Sequence, residues 1–439
     1  MKIKKFSALI IIFVILLTNY TTIFAQTQPE IYSDAVYLAN TTGQVLVSSK
    51  ENKKYQPGGI VKMVTCLVAL EKTNIADKVA ITEECLAPSE TNADLKVGEI
   101  MTVEDLTYCA IVANASDAAK ALALHVAGSE AAFVKLMNEK AKALGCENTN
   151  FTNSTGASDE NQYTTPADLF TLTVAAINNA NLNPVMRTSR KTIKKTNMSD
   201  ERFYYSNNYL ICAYYDNRYF YSDAQGGKSG YTPDGGYALT AFATVGNTQL
   251  IAIAMGGDDE KGISTFKDAL ELFKYGFENF KSVAVTTSGD ILYETNVKYA
   301  SPSDKIILCA QHSLKALVEN SDEDYKFEAK FNVPDNIEPP IKKGSVLGSV
   351  SYSYQGNPVG TVPLVASENL SASVLYYIVN AIKFLWSFTI VKILVFILVL
   401  ILIFILFAAF SVMTGAVRLK KKPKTKRKPK YRRKNYSSH

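Results

Sequence analysis

Apolar and polar positions alternate through DAVYLANTTGQVLVSSKEN (Asp34–Asn52) on both sides of a Thr-Thr-Gly break, which predicts a β-hairpin. From Ile60 to about Ile177 the period becomes helical, in IVKMVTCLVALEK, TVEDLTYCAIVA, SDAAKALALHVAG, SEAAFVKLMNEKAKALG and TPADLFTLTVAAINN. Several of these runs open on Ser or Thr with an acid one to three residues later, the pattern of helix capping. GGYALTAFATVGNTQLIAIAMGG then predicts two strands about a Gly-Asn turn, and STFKDALELFKYGFENF a closing amphipathic helix. Strands at both ends of this region, with helices between, predict one α+β domain over 26–280 whose sheet is completed by distant segments.

Beyond Phe280 the runs are short and alternating, split by Gly, Pro, Asn and Asp: KSVAVTTSGDILYETNVKYA, DKIILCA, YKFEAKFNV and GSVLGSVSYSYQGNPVGTVPLVA. They predict a small all-β domain over 281–370, with 371–383 as a connector. ILVFILVLILIFILFAAF, from Ile393 to Phe410, is apolar for 18 residues without interruption, enough to cross a bilayer. It is apolar on every face, unlike a core helix, and the basic run RLKKKPKTKRKPKYRRK soon follows. A transmembrane region over 384–417 is expected, with the tail 418–439 in the cytoplasm and the body outside.

Charge sharpens this picture. The formal net charge of +6 is unevenly placed: twelve Lys or Arg lie in 418–439 and three Lys in 1–25, neither segment holding an acid. Setting these fifteen cations aside leaves the intervening chain at about −9, which argues against a nucleic-acid partner. Lys2, Lys4 and Lys5 before the apolar run Ala8–Leu17 predict an export signal over 1–25, ending at Ala25; an uncleaved anchor is the alternative. The six cysteines are scattered, with no CxxC, and read as buried free thiols, although export would permit disulfides. Three widely separated histidines supply neither a metal site nor a Ser-His-Asp triad, and His125 reads as a packed helix residue. No metal and no cofactor are expected.

The hairpin, the helical middle and GGKSGYTPDGGYALTAFA (Gly226–Ala243) come in an order that resembles the penicillin-binding D-alanyl-D-alanine carboxypeptidases. The stretch HVAGSEAAFVKLMNEKAKALGCENTNFTNSTGASDENQYTTPADL is similar to the family pattern almost residue by residue, and the resemblance runs from about Ile31 to Leu370. It implies a β-lactamase/DD-peptidase-like domain, an antiparallel sheet flanked by helices with a helical subdomain. It also implies a cell-wall substrate, the D-Ala-D-Ala end of a peptidoglycan stem peptide, with β-lactams as alternative ligands.

Three motifs surround one cleft in the family. Lys228, Ser229 and Gly230, followed by Tyr231 and Thr232, supply the K-S-G motif, so Lys228, Ser229, Gly230 and Thr232 are expected to hold the terminal carboxylate of the substrate. The S-x-x-K motif is broken: Pro57, Gly58, Gly59, Ile60, Val61, Lys62 stands where Pro-Ala-Ser-x-x-Lys is expected. Lys62 thus occupies the general-base position and Gly59 that of the missing nucleophile, so no acyl-enzyme forms there. The S-x-N motif falls on Asn114, Ala115 and Ser116, with Ser and Asn exchanged, and Asn114 cannot relay a proton as serine does. The other S-x-x-K, Ser264 to Lys267, reads as a helix cap. The expectation is a pseudoenzyme that keeps a peptide-binding or regulatory role, with a protein partner possible. The alternatives are an active serine carboxypeptidase with an unrecognised nucleophile and a membrane-anchored structural module.

Overall fold

The computed structural model describes residues 29–86, 91–321 and 325–413. The signal expected over 1–25, the basic tail 418–439 and the last residues of the transmembrane region, 414–417, lie outside them. Contacts divide the chain into two compact units. One runs up to Asp290 and takes in Ala310–Asn332 and Gly348–Pro363; the other holds Ile291–Cys309, Val333–Leu347 and the chain from Leu364 onward.

The first unit is built on a five-stranded antiparallel sheet. In chain order its elements begin with β1 (Ala35–Asn40), β2 (Val45–Ser49), α1 (Val61–Lys72), β3 (Lys78–Ala80), β4 (Ile100–Thr102), α2 (Val103–Val112), α3 (Ser116–Ala127), α4 (Glu130–Ala143) and α5 (Pro166–Asn178). There follow α6 (Leu182–Met186), β5 (Arg190–Ile193), β6 (Arg202–Tyr205), β7 (Ala224–Thr232), β8 (Gly236–Val245), β9 (Thr248–Gly257) and α7 (Ile263–Asn279). The sheet order is β2-β1-β9-β8-β7, so the N-terminal hairpin docks onto strands made some 200 residues later. β7, which carries the K-S-G motif, is an edge strand.

The two sheet faces explain the apolar periods. Val36, Leu38, Leu239, Ala241, Leu250 and Ala252 meet Phe266, Leu272 and Phe273 of α7 on one face. Ala35, Tyr37, Ala39, Phe242, Ile251 and Ile253 meet α1 and α5 on the other. β1 is therefore buried at all six positions, where the hairpin pattern leads one to expect a solvated face. Helices cover both of its faces, and Tyr37 is apolar enough to pass under α5, its ring 5.3 Å from that of Phe170.

The caps follow the sequence signals closely. Thr102, Ser129 and Thr165 accept the amides of Asp105, Ala132 and Asp168 at the starts of α2, α4 and α5. Removing the Thr165 hydroxyl (Thr165→Ala) is expected to lower stability by about 1 kcal/mol, read from the urea midpoint of the first unit. Ser116 differs, because it is the first residue of α3 while Ala115 holds the cap position. His125 is also exposed rather than packed, in the last turn of α3. All six cysteines are free, five of them buried.

Among the described residues of 280–372 the regular elements are all strands: β10 (Phe280–Thr286), β11 (Ile291–Asn296), β12 (Ala300–Ser301), β13 (Lys305–Ala310), β14 (Leu314–Glu319), β15 (Phe327–Asn332), β16 (Val346–Tyr354), β17 (Asn357–Ala366) and β18 (Ser371–Ala372). In the first unit β10 pairs with β14, and the Gln44 side chain both donates to the Leu317 carbonyl and accepts its amide, each at 2.7 Å. In the second, β11 pairs with β13 and β12 with β18.

The stretch expected to be a connector is mostly helical. α8 (Val374–Ser387) opens at Ser373, whose hydroxyl accepts the Tyr376 amide, and it buries no residue. After a break at Phe388, α9 (Thr389–Met413) begins, and Thr389–Ser411 within it is long and apolar enough to cross a membrane. VLYYIVNAIKFLWS holds neither Gly nor Pro, and this connecting segment forms a helix.

Candidate active site

Three backbone segments meet tightly where the first motif enters α1. Tyr55 exchanges both backbone hydrogen bonds with Thr164, each 2.9 Å, which fixes the approach to Pro57. Gly58–Ile60 then form one turn of 3-10 helix that runs into α1. Gly58 has φ +56°, and a side-chain carbon there would lie 2.5 Å from the Tyr231 amide nitrogen. A side-chain carbon at Gly230 would likewise lie 2.6 Å from the Gly59 nitrogen. The first-motif turn and the K-S-G strand thus touch backbone to backbone, which demands glycine on both sides.

The cleft they border has a volume of ≈ 670 Å³. Of the residues singled out in the sequence, Gly59, Lys62, Asn114, Ser116 and Thr232 line it. Lys228 joins them from beneath, donating its ammonium to Asn114 Oδ1 at 2.7 Å. Ser229 and Gly230 do not line the cleft; both are buried on β7, and Gly230 is packed on the Gly59 turn. Thr232 is also buried, and its hydroxyl accepts the Gly235 amide at 2.9 Å to close the β7–β8 connection.

Asn114 is the central surprise. It has φ +55°, a left-handed conformation that Asn tolerates better than Ser does. Its amide fills the space in front of Gly59: a side-chain carbon on Gly59 would lie 2.7 Å from Asn114 Oδ1. At position 59 there is therefore neither a hydroxyl nor room for one. The two departures from the family motifs, 55 residues apart in sequence, face each other across the cleft.

Both lysines are buried, with Lys62 3% and Lys228 1% exposed. Burial pushes Lys62 down to about 8, opposed by the nearby Cys66 and Asp117. Lys228 falls well below the usual lysine range, first through burial and then through the charge of Lys62. Lys62 donates to the Thr155 carbonyl at 2.7 Å. That carbonyl is presented by a turn in which Asn153 Oδ1 accepts the Gly156 and Ala157 amides at 2.7 and 3.1 Å. Thr155 and Asn153 were not picked out from the sequence, although the Asn-Ser-Thr-Gly run is a turn signature that points to them. The Cys66 thiol, one helical turn beyond Lys62, is fully buried and pushed up to about 12 by that burial, so it is no thiolate nucleophile.

Asp117 serves the fold: its carboxylate accepts the amides of Ala93, Leu95 and Ala118. Ser264 is neither a second nucleophile nor a cap, since its amide and hydroxyl both donate to Asp259. Among the described residues no group of His, Cys, Asp and Glu is arranged to hold a metal ion.

Comparison with known proteins fits this geometry. Residues 22–259 match the family described as D-alanyl-D-alanine carboxypeptidase, and residues 280–372 match the one described as penicillin-binding protein 5, C-terminal domain. The D-alanyl-D-alanine carboxypeptidase DacF of Bacillus subtilis is 27% identical over 379 residues, 84% of this chain and 95% of that protein. DacA of Haemophilus influenzae is 28% identical over 353 residues, 78% of this chain and 86% of that protein. Among solved structures, penicillin binding protein 5 from Haemophilus influenzae superposes with a TM-score of 0.67 at 25% identity, covering 79% of this chain and 99% of that one.

Proposed function

The chain belongs to the D-alanyl-D-alanine carboxypeptidase family, and from that premise we propose that it is a member that forms no acyl-enzyme and keeps its cleft for reversible binding. The ligand is the D-Ala-D-Ala end of a peptidoglycan stem peptide, or a β-lactam that imitates it. The observation that carries this reading is the Asn114 amide 2.7 Å from where a Gly59 side chain would begin. Lys62 is then a general base with no nucleophile to serve, and its lowered proton affinity has no covalent step to assist. Lys228 and Thr232 hold the ligand carboxylate, Ser229 and Gly230, expected to share that role, instead set β7 against the Gly59 turn, and Asn114 and Ser116 supply hydrogen bonds to the ligand's amides.

The Thr389–Ser411 helix anchors the body to a membrane, with the cleft on the cell-wall side and the basic residues 418–439 in the cytoplasm. A bound stem peptide, or a protein partner that senses one, gives such an anchored cleft a regulatory role.

Incubation of the full chain with fluorescent penicillin, followed by denaturing electrophoresis, tests the central point. The expected gel carries no heat-stable label. Covalent label on the unaltered chain would mean an active serine enzyme with a nucleophile outside the three motifs.

A further inference from the structure

We propose that a second groove beside the cleft takes the amino-sugar backbone of peptidoglycan, so that the chain recognises stem peptides still attached to glycan. This rests on the stem-peptide reading above and extends it from a free peptide to the polymer.

The groove has a volume of ≈ 1320 Å³, and Tyr231 and Pro233 line both it and the cleft. The two spaces are divided by Ser158, whose hydroxyl lies 2.8 Å from Gln56 Oε1 and 3.0 Å from Asp234 Oδ2. A ligand in one space therefore reaches the other by passing over Tyr231.

The chemistry of the groove suits a pyranose. Tyr231 is 49% exposed, and its ring centroid lies 4.5 Å from that of Tyr237. Tyr237 is held in place by Gly262, where a side-chain carbon would lie 2.5 Å from the tyrosine ring. An aromatic platform is thus set before any ligand arrives, and its electron-rich face suits the C–H face of a sugar ring. Tyr163 adds a second ring, with the Lys54 ammonium 3.9 Å from its centroid.

Polar acceptors complete the arrangement. Asp34 is occupied by Lys53 and the Tyr55 hydroxyl, and Asp259 by Ser264. Glu160 and Asp258 also line the groove and have no hydrogen bond or ion pair among the described residues. Their carboxylates are free to accept from sugar hydroxyls and acetamido N–H groups. The lining holds five carboxylates against three lysines, a balance that disfavours polyanions such as nucleic acid or a phosphate-linked polymer.

Isothermal titration of the full chain in detergent micelles tests the proposal with two probes. One is a free pentapeptide ending in D-Ala-D-Ala; the other is the same pentapeptide on its N-acetylglucosaminyl-N-acetylmuramyl disaccharide. Filling both spaces with one molecule is expected to make the disaccharide form bind roughly tenfold more tightly. A Tyr163→Ala, Asp258→Ala double variant should lose that preference while binding the free pentapeptide as the unaltered chain does, which also reports that it is folded. Equal affinity of the unaltered chain for the two probes overturns the glycan groove and leaves the stem-peptide reading standing. Binding of neither probe overturns the stem-peptide reading itself, and the groove with it.

Discussion

Gly59→Ser alone is expected to leave the chain unlabelled by fluorescent penicillin and to make it less stable. A serine Cβ would lie 2.7 Å from Asn114 Oδ1 and 3.2 Å from its nitrogen, so the Asn114 amide must swing away. That movement breaks the bond from Lys228, whose ammonium is fully buried and would be left without its acceptor. Leaving a buried hydrogen-bond donor unpaired costs about 2 kcal/mol, a loss that urea denaturation would register. The new hydroxyl would also sit behind a displaced amide rather than facing Lys62. Pairing Gly59→Ser with Asn114→Ser removes the obstruction, at roughly 1 kcal/mol of strain for a left-handed serine. Label is expected on the double variant and not on the single one. Gly58 must remain glycine in both, because its φ of +56° and its approach to Tyr231 exclude the alanine that the family pattern expects. Strong labelling of the single variant would show that Asn114 does not block the site.

Lys62→Met should stabilise the protein at neutral pH, with a benefit that disappears in alkali. An unfolded lysine titrates near 10.4, whereas in the fold Lys62 is pushed down to about 8 by burial. Below about pH 8 the ammonium is present in both states, and the folded chain carries the full desolvation cost of about 3 kcal/mol. Between about pH 8 and 10.4 the unfolded chain holds a proton that the folded chain has released, so native stability rises with pH in that window. Methionine has no such dependence, and its removal of a charge also relieves Lys228. The hydrogen bond to Thr155 is lost in exchange, which trims the gain to about 2 kcal/mol. Urea midpoints at pH 7, 8.5 and 10 should therefore show a gap between variant and parent that narrows at each step. A gap that stays constant or widens would mean that Lys62 is not buried as a charge at neutral pH.

Much of the fold could be read in advance because it is written locally. Thr102, Ser129 and Thr165 announce their helices by side-chain chemistry that acts within three residues, and Gly246-Asn247 announces the β8–β9 turn in the same way. The Tyr37 face of β1 is buried because α5, far along the chain, covers it, which no local pattern announces.

The site divides along the same line. Gly59 as a missing side chain is visible in a short motif. That Asn114 fills the vacated volume is not, since it depends on a left-handed residue in one loop meeting a turn 55 positions earlier. The groove beside the cleft was equally hidden: its walls come from the Tyr55, Tyr163, β7–β8 and Asp258 segments, which only the fold brings together.

The placement of β1 also sets a timetable for the chain's birth. β1 pairs with β2 along one edge and with β9 along the other, and β9 ends at Gly257. At 5–20 residues per second, roughly ten to forty seconds separate the appearance of the hairpin from that of its partner strand. Throughout that interval Val36 and Leu38 lack the residues that bury them, and the open edge of β1 is available to any other extended chain. A nascent chain of this protein therefore depends on being shielded until β9 arrives, and fragments ending before it should aggregate rather than fold.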